Sequence, residues 1–176
     1  ARGPLPPIML SQVLGPDNSY RDDVFGLSAT FPAGWKVRSA ARRGDNNHEA
    51  FVSLDPGVAI SPTLYYRLFQ PDEPSGRDGS AEAYLRDTAA KKEAARMATT
   101  PDYRNVPESF AFTQINGAPA MTYAATFTRR DKVMIEYFIR IVGQKGYAMF
   151  YTTGELEAVR PAMAQLQQTA KTVRLP

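Results

Sequence analysis

Apolar and polar positions alternate from Val24 to Phe31. Phe25, Leu27, Ala29 and Phe31 fall on one side, and Val24, Gly26, Ser28 and Thr30 on the other. A period of two predicts a strand with one buried face. Gly26 in its interior points to a bulge or a close neighbour. Pro32 cannot donate to a ladder, so the strand stops there. Ala33-Gly34 completes a turn in which Gly34 is free to take positive φ. Trp35 and Val37 then face alike on a return strand. The expectation is a β-hairpin with Trp35, the only tryptophan, as a core plug at its base, a commoner use of a large ring than ligand contact.

Two further strands read out of Glu49–Leu54 and Ile60–Phe69. In the second, Tyr65 and Arg67 share one side and Tyr66 and Leu68 the other, so an exposed side could dock a partner. Residues 41–49 and 70–79 are dense in turn formers and read as exposed loops. Ser80 caps a helix that runs to about Ala98, with Glu82 in its first turn and strong helix formers throughout. Its apolar stripe, Ala81, Leu85, Ala89 and Ala95, is thin, so a surface helix is expected.

Three long strands follow, the first over residues 109–128 with a break at Gly117, then 132–142 and 147–152. Arg130-Asp131 and Gln144-Lys145 fit two-residue turns, which fixes the register. Position 127 then faces 134, 125 faces 136, 123 faces 138, and 121 faces 140; 138 faces 151 and 140 faces 149. One sheet face carries Met121, Tyr123, Phe127, Phe138, Met149 and Tyr151. The other carries Ala124, Val133, Ile135, Tyr137, Ile139, Ile141, Ala148 and Phe150. An antiparallel sheet apolar on both faces must be covered on both. Leu156, Val159, Met163, Leu166 and Ala170 form a helical stripe that supplies cover, with Pro161 marking a kink or a fresh helix start. Thr172–Leu175 could add a short final strand.

Composition narrows the class. The chain has 176 residues and is 43% hydrophobic, enough for one domain with a substantial core. Pro4, Pro6, Pro7 and Pro16 mark residues 1–19 as an arm or tether, leaving 20–176 as a single domain. Lys+Arg is 21 and Asp+Glu 18, a net charge of +3 with no basic run beyond two residues. That field is too weak and scattered for nucleic-acid binding. There is no cysteine, so disulfides, thiol catalysis and thiolate metal sites are excluded. No apolar run approaches the ~20 residues of a transmembrane helix. The first residue is Ala1, not Met, which fits removal of a signal segment or trimming at that end. An exported protein, periplasmic or cell-envelope associated, is expected, with room for a lipid anchor upstream of Ala1.

The order of elements, with "DDVFGLSATFPAGWKV" and the closing "YAMFYTTGELEAVRPAMAQLQQTAKTVRL", resembles the PsbP-like family. That family takes in the photosystem II extrinsic subunit PsbP and bacterial envelope proteins such as DcrB. The resemblance runs over most of residues 20–175 and is carried by core and turn positions. It implies an α+β fold, an α/β/α sandwich around a central, mostly antiparallel sheet. It also implies a binding or assembly module, and it transfers no functional residue.

Candidate chemistry is sparse. His48 is the only histidine, and no G-x-S-x-G elbow accompanies it. Asp45 to Glu49 gathers several oxygens and an imidazole but lacks the Gly and Glu of a calcium loop, so a solvated loop is the favoured reading. Asp22-Asp23 reads as a turn flank. Arg43-Gly44-Asp45 spells an adhesion tripeptide and is read as a turn. Glu136 and Arg140 stand on an otherwise apolar face, where charges need partners. They could pair with each other. Alternatively this face is partly open as a ligand cleft, with Tyr123, Phe138 and Tyr151 as aromatic floor and Arg140 as anion anchor, although core packing is the commoner use of such aromatics. The leading expectation is a non-catalytic exported module, with no cofactor, whose partner is a protein or a cell-envelope component. A small-molecule or ion carrier with a cleft near Arg140 is the alternative, followed by an unrecognised hydrolase.

Overall fold

A computed structural model describes residues 15, 17–22, 24–43, 49–69 and 80–176. Most of the N-terminal arm, His48 with the rest of the loop over 44–48, and the loop over 70–79 lie outside the described residues. The strands are β1 (Ser19–Asp22), β2 (Leu27–Thr30), β3 (Lys36–Arg43), β4 (Glu49–Asp55) and β5 (Thr63–Leu68). Helix α1 (Ala81–Met97) precedes β6 (Arg104–Asn105), β7 (Ala111–Ile115), β8 (Ala118–Arg129), β9 (Lys132–Val142) and β10 (Gly146–Glu155). Helix α2 (Leu156–Ala170) closes the chain. The large sheet has the order β3-β4-β5-β10-β9-β8, with β6 and β7 sharing the outer edge of β8. Every pairing is antiparallel.

The register derived from the two turns holds. Phe127 faces Met134, Tyr123 faces Phe138, Met121 faces Arg140, and Met149 faces Arg140 from the other side. Arg130 and Asp131 take φ of 51° and 63°, the left-handed pair that a tight hairpin needs. The break at Gly117 is also a hairpin: Asn116 and Gly117 take φ of 49° and 82°, and β7 folds back on β8. The Asn116 amide then donates to the carbonyls of Lys171 and Val173, fastening the end of α2.

The expected hairpin between residues 24–31 and 35–39 does not form. β2 pairs with β1 in a separate two-stranded ribbon, while β3 pairs with β4. Alternation had specified a buried face, not a partner, and both outcomes bury Phe25, Leu27, Ala29 and Phe31. The Pro32–Gly34 turn therefore carries the chain from ribbon to sheet. The Asn18 side chain donates to the Pro32 carbonyl at 2.7 Å and holds that turn. Trp35 is buried in the core, as expected. The final segment contributes one bridge, Arg174 to Ser28 of the ribbon.

The two sheet faces carry two separate cores. On one, Ile139, Ile141, Ala148 and Phe150 pack beneath the ribbon and beneath Val159, Leu166 and Ala170 of α2. Helix α2 runs continuously through Pro161, because the missing N–H would reach the carbonyl of the exposed Glu157. On the other face, Tyr123, Phe127, Phe138 and Met149 pack with Leu85 and Ala89 of α1 and with Tyr103. One helix on each face makes the α/β/α sandwich.

The ribbon is pinned by a buried charge. The Asp22 carboxylate accepts from the backbone N–H of Val24 and Phe25, from the Tyr66 hydroxyl, and from Arg42 Nη2 at 2.8 Å. The Tyr20 hydroxyl lies 2.7 Å from that of Tyr66. Both charged side chains are about 5% exposed, so removing one strands the other in low dielectric. Asp22→Ala should lower stability by about 3 kcal/mol, read from the urea unfolding midpoint; an effect under about 1 kcal/mol would mean that the pair does not hold the ribbon.

Candidate functional site

Along the second sheet face, pairing aligns one residue from each of five strands. Phe51 (β4), Tyr65 (β5), Met149 (β10), Arg140 (β9) and Met121 (β8) stand opposite one another. Helix α1 packs toward β6 and β8, so it covers one end of this row and leaves the other open. The result is a groove of about 400 Å3. Phe51, Tyr65, Tyr147, Met149 and Tyr151 form its floor, and Thr88, Lys91 and Lys92 of α1 form its wall. Arg140 lies at the helix side and Glu49 on the outer strand. Three strand spacings separate β4 from β9, so the groove is about 14 Å across.

The floor is rigid. The Phe51 and Tyr65 rings are 4.8 Å apart and those of Tyr65 and Tyr147 5.7 Å. The Tyr65 hydroxyl donates to Glu49 at 2.7 Å. Burial, then the neighbouring Tyr147 and the Glu49 carboxylate, pushes the Tyr65 phenol well above its ordinary range, so it stays protonated. Arg67 caps the Tyr147 ring at 4.8 Å.

Glu136 and Arg140 do not pair with each other. Glu136 accepts from Arg96 Nη1 at 3.2 and 3.3 Å, from the Tyr103 hydroxyl at 2.8 Å and from Thr153 Oγ1 at 2.6 Å. Its charge is thus answered by α1. Arg140 donates through Nε and Nη2 to one acceptor, the Tyr123 hydroxyl, at 3.3 and 3.1 Å. Its guanidinium lies 5.7 Å from the Tyr123 ring centre and 5.6 Å from that of Phe138. It is 4% exposed and has no carboxylate partner among the described residues. Nη1 has no hydrogen-bond partner there either.

Of the five residues singled out from the sequence, Arg140 and Tyr151 line the groove. Tyr123 and Phe138 lie beneath, fully buried, in a ring stack with centroids 4.7 Å apart. Glu136 ties α1 to the sheet. Lys92 was missed. It lines the groove without an ion-pair partner among the described residues, whereas its neighbour Lys91 pairs with Asp87 at 2.8 Å. Desolvation lowers the Lys92 pKa, Arg140 and Arg96 add to that, and Glu136 opposes it. A sequence signal existed: Leu85, Ala89, Lys92 and Arg96 share one helical phase, so the two cations continue the apolar stripe onto the sheet.

Among the described residues no group of three His, Asp or Glu could hold a metal, and no helix is long and apolar enough to cross a membrane. No family model and no curated protein matches the sequence. Among solved structures, cyanobacterial PsbP (CyanoP) of Synechocystis sp. PCC 6803 is similar over 93% of this chain and 95% of its own, with a TM-score of 0.59 and 12% identity. A protein of unknown function from Pseudomonas aeruginosa aligns over 86% of this chain and 93% of its own, with a TM-score of 0.48 and 16% identity. The chain has a PsbP-like α+β fold, as the sequence resemblance implied.

Glu136 is thereby a structural residue. Glu136→Gln keeps the shape but removes the charge from its hydrogen bonds to three donors, Arg96, Tyr103 and Thr153. It should cost about 2 kcal/mol in urea unfolding; a variant as stable as the parent would mean that Arg96 does not need the carboxylate.

Proposed function

We propose that the chain is a non-catalytic binding module, exported and associated with the bacterial cell envelope. In this reading the Pro-rich N-terminal segment is a tether and the groove beside α1 is the binding site. One observation carries it: a buried arginine without a counter-anion among the described residues lines a groove whose floor is aromatic. Apolar walls with a few converging polar groups are the usual form of a ligand site, and about 400 Å3 lies in the usual size range. The groups in the groove suit holding better than proton transfer. A guanidinium offers donors and no acceptor, and the Tyr65 phenol is held protonated by burial.

Protein isolated from its own host should carry a small mass in native mass spectrometry that leaves on denaturation. Arg140→Ala should abolish its retention. Release of a second polypeptide instead would make the module a protein-docking one. A bare chain that also crosslinks to nothing in cells would overturn the binding reading.

A further inference from the structure

Resting on that binding reading, we propose that the groove takes an amphipathic carboxylate, its head on Arg140 and Lys92 and its apolar body along Phe51, Tyr65, Tyr147 and Tyr151. The head comes from charge counting. Around the anchor stand Arg96, Lys92 and Arg140, against one carboxylate, Glu136, which Arg96 already engages. Lys91 is neutralised by Asp87. Two cations remain without a carboxylate among the described residues, and both line the groove.

The geometry favours a planar head. Arg140 has committed Nε and Nη2 to Tyr123. The edge that includes Nη1 is left, and it matches the two oxygens of a carboxylate. A tetrahedral phosphate monoester needs more room than a flat carboxylate, and the Arg140 anchor is only 4% exposed.

The body follows from the floor. Its rings run across β4, β5 and β10, two strand spacings or about 10 Å, away from the two cations. Met149 lies among them, a side chain that adapts to irregular apolar shapes. At the outer end Glu49 already stands opposite Arg67 and accepts from Tyr65, so the charges there have partners and the apolar body lies on the rings between.

Isothermal titration of the full chain with decanoate, decanol and decyl phosphate tests this directly. Decanoate should bind at one site, with decanol and decyl phosphate each about tenfold weaker or more. Lys92→Gln, a half-exposed helix position that should not disturb folding, should weaken decanoate by about fivefold and leave decanol unchanged. Arg140→Gln should weaken decanoate by about tenfold or more. Lys132→Gln, an exposed cation at the start of β9 outside the groove, should change nothing beyond about twofold. Equal affinity for decanoate and decanol, tighter binding of decyl phosphate, or a Lys92→Gln chain that binds decanoate like the parent would each overturn the carboxylate assignment. If decanoate fails to bind while a host protein crosslinks at Lys92, the assignment falls and the binding module stands. If nothing reaches the groove, both fall.

Discussion

A sheet that is apolar on both faces sets the terms for the rest of the molecule. Successive residues of β8, β9 and β10 point to opposite sides, and both sets are buried. Each face therefore needs its own cover, and the chain meets the two needs unequally. The first face receives α2, which follows β10 directly, and also the β1–β2 ribbon. The second receives α1, with two fully buried apolar side chains, Leu85 and Ala89. A helix so thin in apolar surface covers only the β6–β8 side. Over β4, β5 and β10 the described residues leave Phe51, Tyr147 and Tyr151 half-exposed, and the groove is what a short cover leaves behind.

How much of this could be read from the chain differs by kind of information. The three-strand register was legible because two short turns fix pairing and a one-residue slip would invert both faces. The helix limits were legible because Ser80 caps α1, accepting from the Ala83 N–H. The partner of β2 was not. Alternation states which side is buried and is silent on which strand lies alongside. Arg140 was legible as a charge on an apolar face. That Glu136 would not pair with it was not legible, because Arg96 answers Glu136 from a helix forty residues earlier in the chain. The groove itself depends on where α1 lies across the sheet, which no local pattern encodes.

Among the described residues Asp22, Glu136 and Arg140 are buried as whole residues, and the Arg42 side chain that pairs with Asp22 is buried with it. The first two are handled by one recipe. Each carboxylate takes an arginine from a neighbouring element and a buried tyrosine hydroxyl, and fills its remaining acceptor positions with backbone N–H groups or a threonine. Arg140 has the tyrosine but not the opposite charge. Two ring contacts contribute about 0.5–2 kcal/mol each, and a hydroxyl bond about 1 kcal/mol. Desolvating an ion costs several kcal/mol, so these contacts offset the burial only in part. Placing Lys92 in the same groove adds repulsion, and its pKa is lowered first by desolvation and then by Arg140 and Arg96. A sheet selected for stability alone would place an aliphatic residue between Met121 and Met149. The charge that completes Arg140 is a carboxylate, and the groove is where one can enter.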